Sequence, residues 1–77
     1  MDIRIAEDFW STRMLPEGII ESWVAADGAI VKVGSPVAEV RIEGSLHEIL
    51  APASGRLVTY ASDNDIIEPG SVIGQIA

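Results

Sequence analysis

The feature that most narrows what this chain can become is its similarity to itself. Gly18-Ile19-Ile20-Glu21-Ser22-Trp23 lines up with Gly55-Arg56-Leu57-Val58-Thr59-Tyr60, and after a one-residue gap Ile30-Val31-Lys32-Val33-Gly34-Ser35 lines up with Ile66-Ile67-Glu68-Pro69-Gly70-Ser71. The match runs on from Val37-Ala38-Glu39-Val40 to Ile73-Gly74-Gln75-Ile76. Two copies are too few for a stacked solenoid, whose inner repeats are covered on both sides by neighbours. Each copy must therefore bury the other's apolar side, which predicts face-to-face packing about a pseudo-twofold axis.

The apolar residues come in short bursts broken by Gly, Pro, Asp or Asn, and no stretch holds helical spacing over three turns. We read eight strands, at 2–6, 18–24, 30–33, 37–41, 46–50, 55–60, 65–67 and 72–76. Turns fall at Asp27-Gly28, Gly34-Ser35-Pro36, Glu43-Gly44-Ser45, 52–55, Asp63-Asn64 and Pro69-Gly70. Connections this short force mostly antiparallel neighbours. The expected fold is all-β, a flattened eight-stranded antiparallel barrel-sandwich with an internal pseudo-twofold repeat, and 77 residues make one domain, 1–77. The segment between the two copies becomes an exposed hairpin tipped by Glu43-Gly44-Ser45.

Composition removes several classes of function. The chain has no cysteine, so disulfides, cysteine-ligated zinc and thiol nucleophiles are excluded, and a reducing cytoplasm suits it. Its net charge of −7 repels phosphate backbones, so nucleic acid is not an expected partner. No segment approaches the run of about 18 apolar residues that spans a bilayer, and the N-terminus lacks a basic stretch leading into an apolar one. A cytoplasmic protein with no membrane contact is expected, either whole or as part of a longer polypeptide.

Taken in order and spacing, Glu17-Gly18-x-Ile20-x-x-Trp23, then Asp27 through Val40, Ala51-Pro52-Ala53-Ser54-Gly55 and Ile67-Glu68-Pro69-Gly70-Ser71-Val72-Ile73 resemble the lipoyl/biotinyl attachment domain family. Lipoyl domains of 2-oxo acid dehydrogenase complexes are the nearest in pattern. The resemblance covers nearly the whole chain. In that family two such half-motifs flank a hairpin whose tip lysine carries the prosthetic group. Here the equivalent position is Gly44, flanked by Glu43 and Ser45, and the chain's single lysine, Lys32, lies in the first half-motif. Glycine offers no amine. The resemblance thus implies a non-catalytic, unmodified module with no cofactor, docking on a protein partner such as a multienzyme complex component. The alternative is a genuine swinging-arm carrier of a 2-oxo acid dehydrogenase, acyltransferase or carboxylase system, holding lipoate or biotin.

Little other chemistry is legible. His47 is the only histidine, and alternation puts it on the strand face opposite Leu46 and Glu48. Ser45 has no base or oxyanion feature beside it. The carboxylates Asp27, Glu43, Asp63, Asp65 and Glu68 stand at separate turns rather than as an acid/base pair, and Asp63-Asn64-Asp65 lacks the glycine and distal glutamate of a calcium loop. No metal site and no phosphate-cradling glycine loop is expected. In the connection Phe9-Trp10-Ser11-Thr12-Arg13-Met14-Leu15-Pro16, four large apolar side chains make either a partner patch or a cap on one end of the core, and aromatic burial favours the cap. The candidate partner contacts are Phe9, Trp10, Arg13, Met14, Glu43 and Ser45.

Overall fold

The computed structural model describes residues 1–10 and 17–77. Among the described residues there are eight strands: β1 (Asp2–Arg4), β2 (Gly18–Trp23), β3 (Ile30–Val31), β4 (Pro36–Ile42), β5 (Ser45–Leu50), β6 (Gly55–Thr59), β7 (Ile66–Ile67) and β8 (Val72–Ile76), with a short 3₁₀ turn at Glu7–Phe9. They form two four-stranded sheets, ordered β1-β8-β6-β3 and β5-β4-β2-β7, and every pairing is antiparallel. Replacing β2, β4, β5 and β7 by β6, β8, β1 and β3 converts one strand order into the other. The fold is thus the all-β barrel-sandwich with a pseudo-twofold.

Each half lends its shortest strand to the other's sheet. β3 follows the first half's β2 in the chain but pairs with β6, while β7 pairs with β2. The backbone bonds repeat across the axis. Gly28 N–H donates to Leu57 O (2.7 Å) and Leu57 N–H to Ala29 O (2.8 Å), matched by Asn64 N–H to Ile20 O (2.7 Å) and Ile20 N–H to Asp65 O (3.0 Å). Two turn carboxylates complete the exchange. Thr59 N–H donates to Asp27 Oδ1 (2.9 Å), and Trp23 N–H donates to Asp63 Oδ1 (3.0 Å).

These paired bonds relocate the gap in the repeat. Ile20 corresponds to Leu57, as expected, but Trp23 occupies the place of Thr59 rather than of Tyr60. The extra residue of the first half is absorbed inside β2, where the register against β4 shifts between Ile20 and Ser22. A bulge takes up one residue without disturbing the flanking pairs, so a strand conceals an insertion that pattern reading places in a loop. The second departure is at the hairpin. β4 and β5 close on each other at Ile42 and Ser45, which leaves Glu43-Gly44 as a two-residue turn and puts Ser45 in the strand.

The core is the set of inward-facing residues of both sheets. Ile20 and Leu57, Val37 and Ile73, Val40 and Ile76, and Val31 and Ile67 hold corresponding places in the two halves and are all buried, with Ile3, Ile5, Ile42 and Ile49 beside them. Burying a side chain of this size contributes about 1.5–3 kcal/mol. Nothing charged shares the space: among the described residues no polar side chain is buried.

Close strand crossing near the hairpin demands a residue without a side chain. A Cβ built on Gly18 lies 2.9 Å from the Arg41 carbonyl oxygen and 2.8 Å from Ile42 Cγ1, so backbone would have to move to admit one. Gly55, its counterpart in the repeat, is equally tight against the Ala77 carbonyl at 2.5 Å. Gly18→Ala is predicted to destabilise the domain by about 1–3 kcal/mol. Thermal unfolding checks this, with a fall of about 4–8 °C expected for each kcal/mol lost; a midpoint equal to that of the parent chain would contradict the crossing geometry.

Candidate functional site

The hairpin between β4 and β5 carries the segment that joins the two copies of the repeat. Its turn residues Glu43 and Gly44 have φ of 52° and 81°, the left-handed values of a type I′ turn, whose twist matches that of the strands it joins. Glycine at the second position relieves the strain that any other side chain would bring there. Space is not the constraint. A Cβ on Gly44 meets no atom within 4 Å, so the apex points into solvent.

Arg41 fixes the hairpin to its sheet. Its Nε donates to Glu21 Oε2 at 3.2 Å across to β2, and its NH1 donates to the Gly44 carbonyl at 3.3 Å. Glu21 sits at the bulge of β2, so the residue that breaks the register also supplies the anchor. Both side chains are substantially exposed, which holds the pair to about 0–1 kcal/mol. The brace orients the turn more than it stabilises the fold.

A second contact ties the β1–β2 connection to the same hairpin. The rings of Phe9 and His47 stack with centroids 4.7 Å apart and planes 18° from parallel. Leu46 and Glu48 are exposed while Ile49 is buried, so His47 lies on the face opposite Leu46 and Glu48. Phe9 packs against the core cluster, and Trp10 belongs to it at 6% exposure. Most of the surface of Trp10, one of the contact candidates, is thus turned to the core. Phe9 keeps a half-exposed ring beside the hairpin. Arg13 and Met14 lie outside the described residues. Of the remaining candidates, Glu43 is at the apex and Ser45 is the exposed first residue of β5.

Lys32 stands far from the apex. It opens the turn that leads into β4, where Ser35 N–H donates to the Lys32 carbonyl at 3.0 Å, and its side chain is exposed. The seven residues of β4 separate that turn from the hairpin, a span of roughly 20 Å. The turn carboxylates serve the backbone. Asp27 and Asp63 accept from the opposite half, and Asp65 Oδ2 accepts from Ser62 N–H at 2.8 Å. Among the described residues no three potential metal ligands gather, and no helix is long and apolar enough to cross a membrane.

No protein-family model matches the chain, and no curated protein matches it. Among solved structures, it is similar to the solution structure of the lipoyl domain of the 2-oxoglutarate dehydrogenase complex from Azotobacter vinelandii. The two superpose with a TM-score of 0.76 over 97% of this chain and 95% of that one, at 20% sequence identity. The chain has the fold of a lipoyl domain. At that identity the likeness speaks for the fold.

The Phe9–His47 stack is predicted to contribute a coupling of about 0.5–1.5 kcal/mol beyond the burial of either ring. A double-mutant cycle in denaturant unfolding with Phe9→Leu and His47→Ala measures it, and additive effects would show that the rings adjoin without interacting.

Proposed function

We propose that this chain is a non-catalytic docking or scaffold module that keeps the shape of a prosthetic-group carrier while bearing no group, and that it works beside the components of a multienzyme complex. The observation that carries this reading is the apex itself. Glu43-Gly44 forms a two-residue turn open to solvent, the kind of site where an attachment lysine would be presented, and it holds no amine. Lys32, the chain's one lysine, is roughly 20 Å of strand away, on a turn of different shape. An arm mounted there would swing from the opposite end of the domain.

Charge and surface agree with a protein partner. A net charge of −7 repels nucleic acid and favours basic surfaces, with long-range attraction raising the encounter rate. Glu43 at the apex, Ser45 beside it and the half-exposed ring of Phe9 make a polar contact surface with one aromatic element at the hairpin end of the barrel. The carrier reading draws support from the fold of its structural neighbour, which is a lipoyl domain by name. It requires covalent mass that Gly44 cannot accept.

Intact-mass measurement decides between the two. After growth with lipoate and biotin and with both ligases co-expressed, the chain is expected at its unmodified mass; an added lipoyl or biotinyl group would establish the carrier reading instead. Gly44→Lys extends the test. Because the apex is open, the substitution is expected to fold at a cost of about 1–2 kcal/mol for a side chain at positive φ. Acceptance of lipoate or biotin by that variant would show that the missing amine is the whole difference from a carrier, and refusal would show that the surrounding hairpin differs too.

A further inference from the structure

The pseudo-twofold supplies an internal control, because Ile19, Glu39, Glu48 and Ile66 on the outer face of one sheet have counterparts on the other, although β1 is too short to hold one for Leu46. On the β5-β4-β2-β7 face, register places Leu46 opposite Arg41, Arg41 opposite Ile19, and Ile19 opposite Ile66. Leu46 and Ile66 are 49% and 66% exposed. Arg41 lies within this row but has its guanidinium drawn to Glu21 and the Gly44 carbonyl, so its stem adds to the apolar strip. In the next row, Glu39 stands directly opposite Glu48. Neither carboxylate has a hydrogen-bonding or ionic partner among the described residues.

The other face lacks the opposed carboxylates, and its exposed Ile30, at 73%, has an arginine rather than an isoleucine as its neighbour across the sheet. Gln75 holds the place of Glu39 and faces Asp2, whose carboxylate is 3.7 Å from Arg4. Arg56 holds the place of Ile19, so the counterpart of the Ile19–Ile66 pair is Arg56 beside Ile30. The same backbone thus carries charges that are relieved on one side and opposed on the other. Like charges directly across a sheet weaken it, and an aliphatic strip beside them leaves apolar surface in water. Both costs vanish together if a cation and an apolar surface arrive from outside.

We infer that the outer face of the β5-β4-β2-β7 sheet docks a protein partner whose contact is apolar at its centre and carries lysine or arginine beside it, an assignment that rests on the docking reading above. The apolar strip of Leu46, Ile19 and Ile66 takes the centre, and Glu39 with Glu48 takes the cation. A second copy of this chain does not fit. It would add two more unpartnered carboxylates to the same place, in a protein already at −7.

The test is a titration of the full ¹⁵N-labelled chain with a synthetic peptide of alternating leucine and lysine, the same peptide with glutamate for lysine serving as control. Amide shifts are expected at Ile19, Leu46, Glu48 and Ile66. Glu48→Gln and Ile66→Ser should each weaken binding roughly five- to tenfold, while Asp2→Asn, at the position equivalent to Glu48, should change it by less than about twofold. Without peptide, Glu39→Gln should raise the unfolding midpoint by roughly 2–5 °C by relieving the opposed charges. No binding, equal binding of the glutamate peptide, an equal loss in Asp2→Asn, or an unraised midpoint in Glu39→Gln would each overturn the inference. So would self-association lost in Ile66→Ser. Shifts confined to Phe9, Glu43 and Gly44 would overturn this face and leave docking at the hairpin end standing.

Discussion

The fold depends on an exchange of strands between its two halves. Neither half closes its own sheet, since β3 completes the sheet of β6 and β7 completes the sheet of β2. The carboxylates of Asp27 and Asp63 reach across the same boundary to cap amides of the opposite half. The apolar side chains obey the same rule. Ile20 and Leu57 sit at corresponding points of one shared core, so a half alone would expose what the other covers. A chain of 77 residues buries only about 60% of its unfolded surface and has little stability to spare, so this mutual covering is what makes so short a sequence viable.

From that clasp follows the character of the hairpin. β4 and β5 both give side chains to the shared core, Val37, Val40 and Ile42 from one and Ile49 from the other, and only the two-residue turn between them runs out beyond it. The turn is held in shape by its left-handed residues and by Arg41, and its neighbour His47 is held by Phe9. What stands at the apex is therefore a well-defined surface with no reactive group on it.

Much of this was legible in the sequence for a simple reason. Alternating burial and turn chemistry are local, and they located six of the eight strands to within one residue at each end; β1 and β3 close two residues early, at Arg4 and Val31, because turn bonds claim the residues that follow. The positive φ of Gly44 was likewise foreseeable from a tight turn. Register was not legible. The bulge at Glu21, the opposition of Glu39 and Glu48 and the alignment of Ile19 with Ile66 depend on which residues face one another across strands. Nor could sequence alone separate the fates of Phe9 and Trp10, adjacent in the chain, of which one stacks on a histidine and the other fills the core.

The mutual clasp has a direct measure in native-state hydrogen exchange under increasing denaturant. The amides of Gly28 and Leu57 in one crossing, and of Ile20 and Asn64 in the other, are predicted to converge on a single opening free energy equal to that of global unfolding. If one crossing opened at distinctly lower free energy while the other stayed protected, the halves would be folding separately, and the account of one indivisible unit would fail.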